Sequence, residues 1–257
     1  MLEKSSVQSF QVFHNPQESA VVGTRFHLCS ATHTQPLDLR EDCGSLDWHR
    51  QSARFFYNNA DFEFCGAGAL VMASQLQLDS DKNQFHPFTS SLGYLFWLGV
   101  HQYRAAVKLR PAAASPSGEA FFGLSLSHWF ASEKVYAAPM ALAALIDFQV
   151  PTPMRQHLVA HQTTALLYHL DTRRQRIYFR YFTGFGEKIE DMATGSAFRY
   201  LHAVLPNENL DYTVLQLSRN GARMRCHKKA DTIIYWGAVA TIPQHSTPGE
   251  STYDQPA

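Results

Sequence analysis

The sequence predicts an α+β protein made of two similar halves. Three observations lead to that fold class. First, each half runs strand, glycine-containing turn, apolar helix, strands, and the two turn segments are FEFCGAGALVMA (62–73) and EDMATGSAFRYL (190–201). Second, AAASPSGEA (112–120) is small, polar and contains Pro and Gly, so it reads as a linker dividing the chain nearly in half. Third, hydrophobic residues make up 45% of the 257 residues and charged residues 17%, which is enough apolar material for full cores. The expected organisation is an N-terminal domain over 1–111, the linker 112–120, a C-terminal domain over 121–242 and a polar, Pro-containing tail over 243–257 expected to be disordered.

The elements follow in order. VQSFQVF alternates and is rich in Val and Phe, as a strand requires. The stretch from Gly23 to about His49 is polar and gives no assignment. SARFFYNN reads as a strand closed by an Asn-Asn turn. In CGAGALVMASQLQL two glycines precede a continuous apolar run, the pattern of a buried helix entered through a tight turn. YLFWLGVHQYRAAVKLRP reads as a hairpin. FFGLSLSHWF and MALAALIDFQV are apolar runs. TTALLYHLDTRRQRIYFRYF is strand, polar turn, strand, and ATGSAFRYLHAVL repeats the turn-then-helix design. VLQLSRNGARMRCHKKADTIIYWGAVATI holds three strands separated by Asn-Gly and Lys-Lys-Ala-Asp turns.

Several function classes are excluded or disfavoured. Lys+Arg and Asp+Glu balance at 22 each, so no overall field draws in nucleic acid or an anionic membrane. No run approaches the roughly 18–20 apolar residues of a membrane span. The N-terminus lacks the apolar run of a signal peptide, so cytosolic residence is the default expectation. Cys29, Cys43, Cys65 and Cys226 are widely spaced and form no CxxC pair, so they are expected to be free thiols. His157 and His161 share a helix face by spacing, but without a HExxH pattern or a third ligand they read as a surface pair, and no metal site is expected. No phosphate loop, dinucleotide fingerprint or nucleophile elbow occurs.

The chemistry is expected at the two turns. A glycine-rich turn opening a helix leaves several N–H groups unpaired, and the helix dipole adds about half a positive charge there. Each is a potential anion site, although a CGxG or TGSA string alone is equally a plain tight turn. Facing one another, two such turns can clamp a carboxylate and place acid–base groups on both sides of one carbon. Gly66, Ala67, Gly68, Thr194, Gly195 and Ser196 are therefore candidate substrate-binding residues, together with Asn58 at the end of its strand.

YFRYFTGFGEKIEDMATGSAFRYL resembles the signature of the PhzF-like isomerases, in which an Arg-x-Phe strand leads through Glu-Asp to a T-G-S-A turn. RFFYNNADFEFCGAGALVMA resembles that family's first-half strand and C-G-H-A-T turn. VFHNPQESAVV is similar to its G-N-P-x-A-V-V segment, and QLSRNGARMRCHKKADTIIYWGAVATI to its closing hairpin. The resemblance spans residues of roughly 7–242. It implies the diaminopimelate epimerase fold: two domains, each a mostly antiparallel sheet around a central helix, with the active cleft between them. It also implies a cofactor-independent proton shift on a small carboxylate or amino-acid-derived substrate, with no nucleic acid or membrane partner; a homodimer is a compatible assembly.

Carried over position by position, the family's Asp before the turn is Asp191 and its turn Ser is Ser196. The family's His is replaced by Ala67. Its principal acid–base Glu lies in an early N-x-S-E-T segment that does not occur here; Glu41 and Asp38 lie in that part of the chain without a matching motif. Cys65 takes the place of the catalytic Cys of related epimerases and racemases, where a thiolate at a helix N-terminus serves as a base. The second such Cys is matched by Thr194, which cannot take a proton from carbon. Glu63 shares a face with Cys65 if FEF continues as a strand. Asp191, Cys65, Glu63 and Glu41 are the catalytic candidates. The bland alternatives are a helix cap for Asp191, a small buried turn residue for Cys65 and a solvated position for Glu63. With two expected groups displaced, the fold also allows a biosynthetic enzyme with rewired chemistry or a non-catalytic binder of small acids.

Overall fold

The computed structural model describes residues 7–15, 17–18, 21–29, 42–47, 49–57, 60–76, 83–185, 189–191, 193–206 and 208–242. The first half contains strands β1 (Val7–His14), β2 (Thr24–Cys29), β3 (Asp42–Asp47), β4 (Ser52–Tyr57) and β5 (Ala60–Phe62), helix α1 (Gly66–Gln75), then β6 (Phe85–Ser90), β7 (Leu95–His101) and β8 (Arg104–Leu109). The second contains β9 (Ser115–Pro116), β10 (Ala120–Phe121), β11 (Leu124–Ser125), β12 (His128–Phe130), β13 (Val135–Pro139), helices α2 (Leu142–Asp147) and α3 (Thr152–His161), β14 (Thr164–Asp171), β15 (Arg176–Thr183), α4 (Phe198–Val204), β16 (Asp211–Gln216), β17 (Ala222–Lys228) and β18 (Ile233–Ile242). The protein is mostly β with few helices, and none of the described helices is long and apolar enough to cross a membrane.

The pairing pattern repeats. From β1 to β8, leaving out β5, successive neighbours pair antiparallel, parallel, antiparallel, parallel, antiparallel, antiparallel. From β12 to β18 the same series recurs. Parallel neighbours need a crossover connection. In each series the second crossover carries the turn and helix singled out in the sequence, α1 between β4 and β6 and α4 between β15 and β16.

The strand β18 belongs to both series. It pairs with β17 and β8 through its first residues and with β1 through its last, Val12 opposite Val239 and Ser9 opposite Ile242. The first series is thereby closed into a ring, β1-β2-β3-β4-β6-β7-β8-β18. Closure removes the exposed edges that an open sheet presents. Inside it, α1 packs against β1, β2, β3, β7, β8 and β18. Residues Gly66–Ala73 are all buried. A helix apolar on every side is stable only when enclosed in this way, and this accounts for the unbroken GAGALVMA run.

The hairpin expected at 94–111, the strand–turn–strand at 163–182 and the three strands at 214–242 all form. The β7–β8 turn is built from Gln102 and Tyr103, both at positive φ, without the Asn-Gly usually found there. The unassigned stretch 23–50 holds β2 and β3. Residues 112–120, read as a linker, include β9, which pairs with β12, and the first residue of β10.

Candidate active site

The first turn is fixed by its own cap. Phe64 and Cys65 lead into α1, and the Cys65 Sγ accepts the Gly68 N–H at 3.3 Å, satisfying one of the free amides of the first turn. The cap needs a compact acceptor because the site is enclosed, with Cys65 only 7% exposed. The Gly66 carbonyl accepts a hydrogen bond from Tyr235 Oη at 2.7 Å. Tyr235 is fully buried on β18 and stacks on Phe198 at 4.5 Å between ring centres. One side chain of the shared strand therefore holds the first turn and the first residue of α4 together.

The second turn is braced differently. Thr194 does not cap its helix; its hydroxyl donates to Asp191 Oδ2 at 2.6 Å. Gln216 of β16 accepts the Thr194 N–H at 2.7 Å and donates to the Asp191 carbonyl at 2.6 Å. The chain then makes a 3-10 turn, Gly195–Ala197, before α4 begins. Gln216 is 2% exposed. Sequence reasoning missed it, yet a signal was present: Gln216 falls on the inward positions of DYTVLQ, where Tyr212 and Val214 are apolar.

The two turns meet backbone to backbone. A methyl group placed on Gly66 would lie 2.2 Å from the Gly195 carbonyl carbon and 2.5 Å from the Ser196 nitrogen. One placed on Gly195 would lie 2.7 Å from the Gly66 carbonyl carbon and 3.0 Å from the Ala67 nitrogen. Both positions therefore need glycine for close approach. The two helix starts converge at this contact, so an anion held by both would sit beside the glycine pair.

Of the candidate residues, the structure gathers Cys65, Gly66, Ala67 and Gly68 on one side of this contact and Asp191, Thr194, Gly195 and Ser196 on the other. Ser196 is half-buried and Ala67 buried. Glu41, Asp38 and Asn58 lie outside the described residues. Glu63 departs from expectation. The strand β5 ends at Phe62, so FEF does not continue as a strand, and Glu63 is exposed while Cys65 is buried. Its carboxylate lies 3.6 Å from the guanidinium of Arg199.

Arg199 is the second residue missed. Its guanidinium also pairs with Glu133, in the β12–β13 turn, at 2.9 Å and lies 4.4 Å from the centre of the Tyr94 ring. Burial pushes the Tyr94 and Tyr200 hydroxyls up to about 12 despite Arg199 beside them. Tyr181 is driven further up by burial, then by the charges of Tyr200 and Asp191. These phenols remain neutral near pH 7; Tyr181 and Tyr200 hydrogen-bond to one another, whereas the Tyr94 hydroxyl is buried with no hydrogen-bond partner among the described residues. Elsewhere, the His157 and His161 rings lie 4.4 Å apart, tilted by 45°, and line a pocket of about 340 Å³ with Trp129, Lys134, Tyr136 and Thr163. The four cysteines are all buried and none is in a disulfide.

No protein-family model and no curated protein sequence matches the chain. Solved structures do. The chain is similar to a phenazine biosynthesis PhzC/PhzF-type protein of Clostridium difficile, with a TM-score of 0.67, 15% identity, and 93% of this chain and 98% of that chain covered. It is similar to a PhzF-family phenazine biosynthesis protein of Enterococcus faecalis, with a TM-score of 0.66, 14% identity and the same coverage of 93% and 98%. A proline racemase-type protein of Agrobacterium radiobacter, solved with bound carbonate, aligns over 96% of this chain and 95% of its own at a TM-score of 0.50 and 8% identity. The chain thus has the fold of the PhzF-family proteins, shared more distantly with the racemase type.

Proposed function

We propose that the protein is a cofactor-independent isomerase that moves a proton on a small carboxylate, with its site at the contact of the two turns. The observation that supports this reading is the abutment of Gly66 and Gly195, because it brings the start of α1 against the turn that precedes α4, with Cys65 in the first turn and Asp191, Thr194 and Ser196 in the second. The first-turn amides from Gly66, Ala67, Gly195 and Ser196 would hold the substrate carboxylate. Asp191 or Cys65 would take the proton from the adjacent carbon, leaving the electron pair delocalised into the carboxylate as an enolate. A second group would return a proton to the same or a neighbouring carbon. The carbonate bound to the racemase-type structure is consistent with a carboxylate-sized anion in this fold. The proposed division is a first domain over 1–111, completed by β18, and a second over 121–242.

One observation favours a second reading. Cys65 is buried and its sulfur is already used as the α1 cap. A protein that binds small acids without turning them over would keep this arrangement. Incubation with candidate amino acids in deuterated water separates the two. The isomerase reading expects solvent deuterium at the α- or adjacent carbon, with the rate reduced about 100-fold or more in Asp191→Asn, a loss that starts at the lower end of the usual effect of a general acid–base group. A ligand that binds and never exchanges supports the binding protein. Exchange at an unchanged rate in Cys65→Ser removes the thiol from the mechanism.

A further inference from the structure

We propose that His101, Asp211 and His227 form a binding site for one divalent transition-metal ion of the zinc type. The three residues are far apart in the chain, so no spacing motif announces them. The fold brings one ligating atom of each within 4.8 Å of the others. Asp211 on β16 and His227 on β17 are direct cross-strand partners, and Asp211 Oδ1 lies 2.7 Å from His227 Nδ1. His101 closes β7 and lies over the same region, its ring 5.4 Å from His227 and 4.9 Å from Trp236.

Two features distinguish this group from an ordinary Asp–His pair on a sheet surface. His101 is 8% exposed, and its Nε2 is buried with no hydrogen-bond partner among the described residues. A buried imidazole nitrogen without a partner is costly unless something occupies its lone pair. In addition, the carboxylate is oriented. Gln102 Nε2 donates to Asp211 Oδ2 at 3.3 Å, and Arg225 lies 3.9 Å from the same oxygen. Oδ2 is therefore engaged from outside while Oδ1 faces the imidazole. This is the supporting arrangement that holds metal-binding carboxylates in place. The His101 turn is itself tied down, because the Gln102 N–H donates to Asn83 Oδ1 at 3.1 Å.

Two imidazoles and a carboxylate match the donor set of zinc, with a water completing four-coordination. Bond lengths of about 2.0–2.2 Å put tetrahedral ligand atoms roughly 3.3 Å apart, so side-chain rotation suffices to gather atoms now within 4.8 Å. On binding, the ion replaces the Asp211–His227 hydrogen bond, and the proton between them is either released to solvent or moved to the other ring nitrogen. The ligands come from β7 in the first series and from β16 and β17 in the second, so the ion would staple the two.

The test uses the full chain after removal of metal with EDTA and dialysis. Calorimetric titration with Zn²⁺ is expected to give one ion per chain, and Co²⁺ to give the visible bands of a four-coordinate site. His227→Gln and Asp211→Asn, which conserve shape and polarity, are each expected to weaken Zn²⁺ binding about 100-fold or more, the upper end of the effect of disturbing a metal site. His161→Gln is expected to leave it unchanged. Zn²⁺ is also expected to raise the Tm of the unaltered chain and not that of folded His227→Gln. Absence of stoichiometric binding in the unaltered chain would overturn the proposal. So would Zn²⁺ binding that persists undiminished in His227→Gln and Asp211→Asn, since the ion would then sit elsewhere.

Discussion

Gly66 and Gly195 are the residues on which the site depends, because each leaves out a side chain that the other backbone cannot accommodate. Their role differs from that of a turn glycine chosen for positive φ. A β-carbon at Gly66 would fall 2.2 Å from backbone atoms, which cannot rotate away as a flexible side chain can. Gly66→Ala is therefore expected to cost about 1–3 kcal/mol or more, as overpacking of a close contact does. Urea denaturation measures this, and a change below roughly 0.5 kcal/mol, the range of neutral surface substitutions, would show that the turns separate freely. Asp191 and Thr194 are bound to one another and to Gln216, so their geometry is set before any ligand arrives. Such preorganisation is what electrostatic catalysis or tight anion binding requires.

At the scale of elements, α1 and α4 are alike in position and different in surroundings. The first is enclosed by its ring. The second is amphipathic: Phe198, Leu201 and Val204 face inward, while Arg199 emerges beside Glu133 and Glu63. Arg199 thus ties α4 to the β12–β13 turn and to the segment before α1. Its side chain is 12% exposed and that of Glu133 17%. Removing the cation leaves a largely desolvated carboxylate, so Arg199→Ala is expected to destabilise by about 2–4 kcal/mol. The pair behaves as a surface salt bridge, and this account fails, if denaturation shows a loss within ~0.5 kcal/mol. These elements also show how far local pattern carries. The run GALVMA announced a buried helix and the alternation of VQSFQVF a strand, because periodicity reports which faces are apolar. Residues 24–47 contain strands with no such alternation. The strand DCGSLD has only Cys43 and Leu46 as apolar residues, three apart and so without strand alternation, and is held by its neighbours β2 and β4, so nothing local distinguishes it from a loop. Glu63 is a related case: strand propensity in FEF does not reveal that β5 ends at Phe62, where the chain leaves the strand before Cys65 caps α1.

For the whole molecule, β18 closes the first ring while continuing the second series, so both halves are expected to unfold as one cooperative unit. Groups buried in distant elements should then act on one unfolding transition. His128 on β12 is held below its ordinary value of 6.5 by burial. His202 on α4 is lowered first by burial, with Lys228 adding to the effect. For a histidine depressed in the folded state, the unfolded chain binds more protons once pH falls below that ordinary value. Stability is accordingly complete above it and declines as pH drops through 6.5 toward the folded values. Thermal unfolding should show a Tm that falls on acidification in this window, less steeply in His128→Gln/His202→Gln. An identical slope in that variant would assign the acid lability to other groups.

The repeated order of strand, turn, helix and strand, the positions of both turns and the longest strands can be read from the residues alone, because these depend on short-range periodicity and on small residues where the chain must turn. The residues also carry the family resemblance that the fold bears out. The packing of distant segments brings the turns together through their glycines and lets Gln216 and Arg199 brace them. The same packing makes β18 serve both series and brings His101, Asp211 and His227 together. Each of these relations joins residues whose separation along the chain is set by topology, and sheet pairing between distant strands leaves no local periodicity to read.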